Sequence, residues 1–204
     1  MMNQSPIDDE TPNAKRRREQ VLSAAADCFQ KYGFHGTSMA QISATAKMSA
    51  GHIYHYFGGK EGIIKSIVER EYGELGDLLD QVEKTAAERT VNSAIAHHFI
   101  SRFLKFSNPS SASLTIETVA EASRNTEIAE LVQANDEGLM ERFLELIGNS
   151  SKETRSRCEI VAALQDGLAM RAIRNPKFSS SLDQDMLQEV VHFILTGDTP
   201  SRRS

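Results

Sequence analysis

Apolar residues recur along this chain at intervals of three and four, the spacing that puts them on one face of an α-helix. Val21, Leu22, Ala25, Phe29 and Tyr32 make the first such stripe, which predicts a helix from about Ala14 to Tyr32 with Gly33 as its stop. Met39, Ile42 and Ala46 make a second, short one that Thr37 or Ser38 can cap. After a break at Lys47-Met48, Ser49 is a second capping residue for a helix over about Ala50 to Tyr56, which buries Ile53 and presents polar and aromatic side chains elsewhere.

A long helix then opens at Lys60 and runs to about Thr85, on the stripe Ile63, Ile64, Ile67, Val68, Tyr72, Leu75, Leu78, Leu79 and Val82. Gly73 and Gly76 weaken its middle by about 1 kcal/mol each relative to Ala, so a bend or break is expected there. Five more helices follow, over about 91–106, 113–124, 127–148, 152–174 and 183–195, with NPSSAS as a loop between the first two. No stretch reads as strand and no internal repeat is present. The fold class is therefore all-α, about nine helices in all.

The two short helices joined by a tight turn form a helix-turn-helix, whose second helix can enter the DNA major groove with its N-terminal residues at the base edges. The run ISATAKMSAGHIYHYFGGKE resembles the DNA-binding signature of TetR/AcrR-type transcriptional regulators, with matches at Thr37, Ser49, Gly51, Ile53, Tyr54, Tyr56, Phe57, Lys60 and Glu61. Lys47 departs from the family's usual turn glycine. The resemblance implies a three-helix DNA-binding domain over 13–60, a helical regulatory and dimerisation domain over 61–197, and short tails over 1–12 and 198–204. Ser49, Ala50, Gly51, His52 and His55 are then expected at base edges, and Thr37, Lys47, Tyr54, Tyr56 and Lys60 at phosphates.

Charge sharpens this picture. The net charge is −5 over 204 residues, yet from Asn13 to Lys60 seven basic residues face only Glu19 and Asp27. That segment is basic and the remainder acidic, which suits a polyanion at one end of the chain. The basic start of the first helix, KRRR, would lie near phosphates in the family's geometry.

Other chemistry is thin. Cys28 and Cys158 sit in apolar helical patterns, without disulfide or zinc spacing. His52 and His55 lie three apart but lack a third ligand at fitting spacing, so no metal and no cofactor is expected. Glu117, Glu121 and Arg124 share a helix face and read as a solvated charge cluster. No catalytic motif occurs, and no enzyme is expected. A polar, acidic N-terminus and the lack of a long apolar run point to a cytoplasmic setting.

The C-terminal stretch ALQDGLAMRAI also resembles the family's dimer-forming helices, and the apolar residues there cover more than one face. Ile160, Leu164, Leu168, Val191 and Ile194 are the expected dimer contacts. Phe99, Phe103, Met140, Phe143 and Met170 are expected to line an apolar cavity, with Glu117, Glu121 and Gln165 orienting a hydrophobic small-molecule effector that Glu117 would favour as a cation. The function implied is that of a ligand-released repressor binding a palindromic operator as a homodimer; the alternative is a constitutive DNA-binding protein with no effector.

Overall fold

The computed structural model describes residues 11–86, 90–106, 109–175 and 177–198, with backbone alone for 102–106, 109–112 and 179. Of the tails expected over 1–12 and 198–204, residues 1–10 and 199–204 lie outside the described residues, as do residues 107–108 of the NPSSAS stretch. Among those described, every regular element is a helix: α1 (Pro12–Gly36), α2 (Met39–Ala46), α3 (Ala50–Phe57), α4 (Lys60–Ala86), α5 (Val91–Phe106), α6 (Pro109–Ala122), α7 (Thr126–Ile147), α8 (Lys152–Arg174), α9 (Phe178–Ser181) and α10 (Gln184–Thr196). The nine expected helices are all present, and α9 adds a single turn.

Their ends follow local chemistry. Thr11 accepts a hydrogen bond from the Ala14 amide, and Pro12 occupies the first turn, where a missing N–H is harmless. α1 thus starts inside the expected tail. The expected loop before α6 is also partly helix, for Pro109 opens α6 ahead of Ser113. Gly33, at φ 73° and ψ 168°, interrupts α1 where its stop is expected, leaving one further turn to Gly36. Ser38 and Gln41 form a reciprocal capping box on α2, and Ser49, Asn125, Ser151 and Asp183 cap α3, α7, α8 and α10.

The chain forms two compact units, Met1–Val68 and Glu69–Ser204. The division falls about two turns into α4 rather than at its start, because Ile63, Ile64, Ile67 and Val68 are buried as fully as the residues of α1–α3. In the first unit Val21, Ala25, Phe29, Phe34, Ile42, Ile53 and Phe57 are buried, with the Phe29 and Phe34 rings edge to face at 4.7 Å. Tyr32, expected on the buried stripe of α1, is exposed instead, since the Gly33 break ends the stripe one turn early.

In the second unit α5 packs on α10, and α8 packs on α5, α6, α7 and α10. Its main cluster joins Ala96, Phe99 and Ile100 to Val161, Leu168, Leu187 and Val191. α4 is one uninterrupted helix, without the break expected at Gly73–Gly76. A Cβ at Gly76 would come 2.9 Å from Nη1 of Arg142, the far end of an exposed side chain that pairs with Asp80. No helix among the described residues is long and apolar enough to cross a membrane.

Candidate nucleic-acid interface

α2 and α3 are each two turns long, too short to hold their shape alone. Their geometry is set by what they are tied to. The turn between them begins at Lys47, in the left-handed region at φ 50° and ψ 43°, the sole non-glycine residue there among those described. Lys47 donates its amide to the Ala44 carbonyl, Met48 donates to the Ser43 carbonyl, and the Ser43 hydroxyl donates to the Met48 carbonyl at 2.5 Å. The side chain of Lys47 is exposed. A left-handed residue bearing a Cβ costs about 1 kcal/mol relative to glycine.

α3 buries Ile53 and Phe57 and exposes Ala50, Gly51, His52, Tyr54 and His55, while Tyr56 is half-buried. Ser49 is exposed and caps the helix by accepting from the His52 amide. Nothing lies within 4 Å of where a Cβ of Gly51 would be, so this first turn offers a small, open surface. Ala50, Gly51 and His52 therefore form a face suited to close approach, with His55 one turn on. Tyr54, 51% exposed, projects a phenol from the same helix. His52 and His55 gather no third ligand: among the described residues no three His, Cys, Asp or Glu side chains are grouped to hold a metal.

Two residues expected at phosphates are held elsewhere. Thr37 is 2% exposed, and its hydroxyl lies 2.8 Å from the Gly33 carbonyl and 3.1 Å from that of Cys28. Burial at the joint between α1 and α2 removes it from any surface a phosphate can reach. Lys60 reaches back from the first residue of α4 and donates to the Phe34 and Thr37 carbonyls at 2.8 and 3.0 Å. These carbonyls follow the Gly33 break, so the ammonium ties α4 to the joint. Thr37 and Lys60 are parts of the frame.

The sequence reading missed Gly62. A Cβ there would sit 1.8 Å from the Phe57 carbonyl oxygen, a separation no side chain tolerates. Gly58 and Gly59, at φ 71° and 142°, turn the chain sharply enough to bring α4 against the end of α3. A glycine at the third position of a long helix, where a helix former is expected, was the available signal.

In the second unit Phe99 and Met140 are buried, Phe143 and Glu117 are half-buried, and the side chain of Phe103 lies outside the described residues. Met170 is half exposed, which removes it from any internal lining. Glu121 is buried, with Arg124 Nε and Asn125 Nδ2 both at 3.4 Å from its carboxylate, rather than in a solvated cluster. Gln165 is 6% exposed, and neither atom of its amide finds a hydrogen-bond partner among the described residues, nor does the buried Thr118 hydroxyl.

Of the expected dimer contacts, Ile160 is exposed. Leu168 and Val191 are instead buried in the unit's own cluster, with Leu164 and Ile194 packed partly against it. The alternate faces carry the free apolar surface. Ile160, Ala163, Gly167 and Met170 are exposed along α8, as are Met186, Val190 and Phe193 along α10.

Residues 21–67 match the family pattern described as bacterial regulatory proteins, tetR family. The chain is 29% identical over 170 residues to the HTH-type transcriptional regulator BetI of Vibrio vulnificus, covering 80% of this chain and 84% of that protein. It is 44% identical over 92 residues to the HTH-type transcriptional repressor NicS of Pseudomonas putida, 43% of each chain. The fold is similar, at a TM-score of 0.65 and 18% identity, to the transcriptional regulator FadR of Bacillus subtilis in complex with stearoyl-CoA, over 88% of this chain and 98% of that one. With a two-turn recognition helix on a braced frame, residues 21–67 form a helix-turn-helix module of the tetR type, and the protein is a DNA-binding transcriptional regulator similar to members of that family.

Proposed function

We propose that the protein is a ligand-released repressor that binds a palindromic operator as a homodimer. The observation that carries this reading is the exposed face of α3. Ser49, Ala50, Gly51, His52 and His55 read base edges, and Tyr54, Tyr56 and Lys47 hold phosphates. One such face spans only a few base pairs, and a two-fold pair doubles the contacts over a symmetric site.

The pair forms through the apolar faces of α8 and α10. Ile160, Ala163, Gly167 and Met170 fall at intervals of three and four, and so do Met186, Val190 and Phe193. Two helices from each copy make a four-helix contact, with Ala163 and Gly167 permitting close approach. Sedimentation velocity tests it: the wild type should run as a dimer, and Val190→Glu with Phe193→Glu as a monomer with weakened operator binding. A wild-type monomer that binds operator fully would refute the pairing.

The effector is a hydrophobic small molecule with a hydrogen-bonding group. Phe99 and Met140 supply apolar surface, and the amide of Gln165 offers both a donor and an acceptor. Glu117, half-buried on α6, is the carboxylate that favours a cationic ligand. That FadR of Bacillus subtilis was solved with stearoyl-CoA supports an apolar occupant of such a fold. Binding is coupled to release through α4, the helix the two units share. Effector and operator must then weaken each other by the same factor, about 1–3 kcal/mol of coupling. Calorimetry with the lipophilic cation tetraphenylphosphonium, on free protein and on the operator complex, tests this. Equal affinities in the two titrations would contradict it.

A further inference from the structure

The basic run at the start of α1 divides into two jobs. Arg18 is half-buried, and its Nη1 donates to the Tyr56 carbonyl at 2.9 Å while its guanidinium lies 4.8 Å from the centre of the Phe57 ring. Tyr56 and Phe57 are the last two residues of α3. Arg17 Nη1 donates to Gln20 Oε1 at 3.2 Å, and Gln20 Nε2 donates to the Ala46 carbonyl at 2.6 Å. Ala46 is the last residue of α2.

The last four carbonyls of any helix lack an intrahelical donor. A cation or an amide placed there both satisfies the carbonyl and fixes where the helix end points. Here one short segment of α1 supplies such a donor to both helices of the helix-turn-helix. Each is two turns long, so its angle is set by these attachments more than by its own hydrogen bonds.

We propose that Arg18 and Gln20 are positioning residues for DNA recognition, fixing the recognition helix and its partner helix from their C-terminal ends. Neither acts as a phosphate ligand. The proposal rests on α3 being the element that reads bases. Moving α3 by a fraction of a turn misaligns its base-edge contacts and leaves the count of neutralised phosphates unchanged. Discrimination between sequences should therefore fall while salt dependence stays the same.

The variants are Arg18→Lys, Arg18→Met and Gln20→Leu in the full chain. The probes are a duplex enriched from a random library by the wild type and a scrambled duplex of the same composition. Each variant should lose about tenfold or more of its preference for the enriched duplex, roughly the worth of one good base contact. Its salt slope should match the wild type, and amide exchange should quicken at 50–57 in the Arg18 variants and at 39–46 in Gln20→Leu. Arg18→Lys keeps the charge and is expected to fail like Arg18→Met, because an ammonium cannot both stack on Phe57 and hold the carbonyl.

A phosphate role for Arg18 predicts the reverse: a slope lower by about 0.9 per half-site in Arg18→Met, preference retained, and near-normal binding by Arg18→Lys. That result overturns the proposal. So does loss of helical circular dichroism in all three variants, which would make these residues determinants of stability. A wild type that enriches no duplex would instead remove α3 as the reader, a failure of the underlying reading visible before any variant is made.

Discussion

The two compact units differ in how their polar groups are met, although each has an arginine that reaches a carbonyl near a helix end, Arg18 in the first and Arg157 (to Ile194, 2.6 Å) in the second. In the first, donors reach across to backbone: Arg18 to Tyr56, Gln20 to Ala46, Thr37 to Cys28 and Gly33, Lys60 to Phe34 and Thr37. Each bond joins one helix to the end or joint of another. In the second, the buried amide of Gln165, the hydroxyl of Thr118 and the Asn92 Oδ1 find no hydrogen-bond partner among the described residues, and apolar side chains of α8 and α10 are exposed. A surface that must match a fixed DNA repeat is best held rigid. On the proposed reading the second unit takes up a ligand and a second copy, and buried polar groups without partners are costly unless something else meets them.

The contrast is most severely strained at Gly62. Gly62→Ala should unfold the first unit or lower its stability by more than about 3 kcal/mol, because the added methyl meets the Phe57 backbone, which has no room to move. Thermal melting followed by circular dichroism checks this, and a loss below about 1 kcal/mol would mean α4 can slide away from α3.

Lys60→Met comes next. It leaves two carbonyls at the α1–α2 joint without their ammonium, and should cost about 1–3 kcal/mol of stability. Its salt slope should match the wild type, whereas a phosphate ligand would lower the slope by about one unit per half-site. Anisotropy titrations over a range of salt separate the two.

Lys47→Gly should act in the other direction. Relief of the left-handed strain at φ 50° should stabilise the protein by up to about 1 kcal/mol, while loss of the exposed ammonium weakens DNA binding. A variant that binds DNA as tightly as before would show that the turn lysine has no phosphate partner.

The smallest effect is in the second unit. Burial, and then the neighbouring His97, push the His98 imidazole below its ordinary pKa, and Nε2 lies 3.1 Å from the Thr85 hydroxyl. The unfolded chain therefore takes up this proton at a higher pH than the folded one. Stability from this group is present above pH about 6.5 and declines as pH falls through that value. His98→Gln should flatten the fall in melting temperature between pH 7.5 and 5.5; an unchanged slope would contradict the assignment.

What could be read from residues alone follows the range of the interactions. Helix starts were legible because a capping serine acts within three residues, as at Ser38 and Ser49. The left-handed turn at Lys47 was legible through the resemblance. Lys60 was not, because its acceptors lie 23 and 26 residues away on the backbone, which carries no residue-specific signal. Leu168 and Val191 were apolar and expected as dimer contacts, yet they are buried in the unit's own cluster, and periodicity cannot tell the one fate from the other. On α8 and α10, with apolar residues on more than one face, the distinction had to come from packing.

Sequencing of duplexes enriched from a random library by the wild type and by His52→Asn tests the central claim directly. A two-fold symmetric site is expected for the wild type, with the variant changing the preferred base at the same position in both half-sites. An enriched site without symmetry, or an identical site for both proteins, would contradict it.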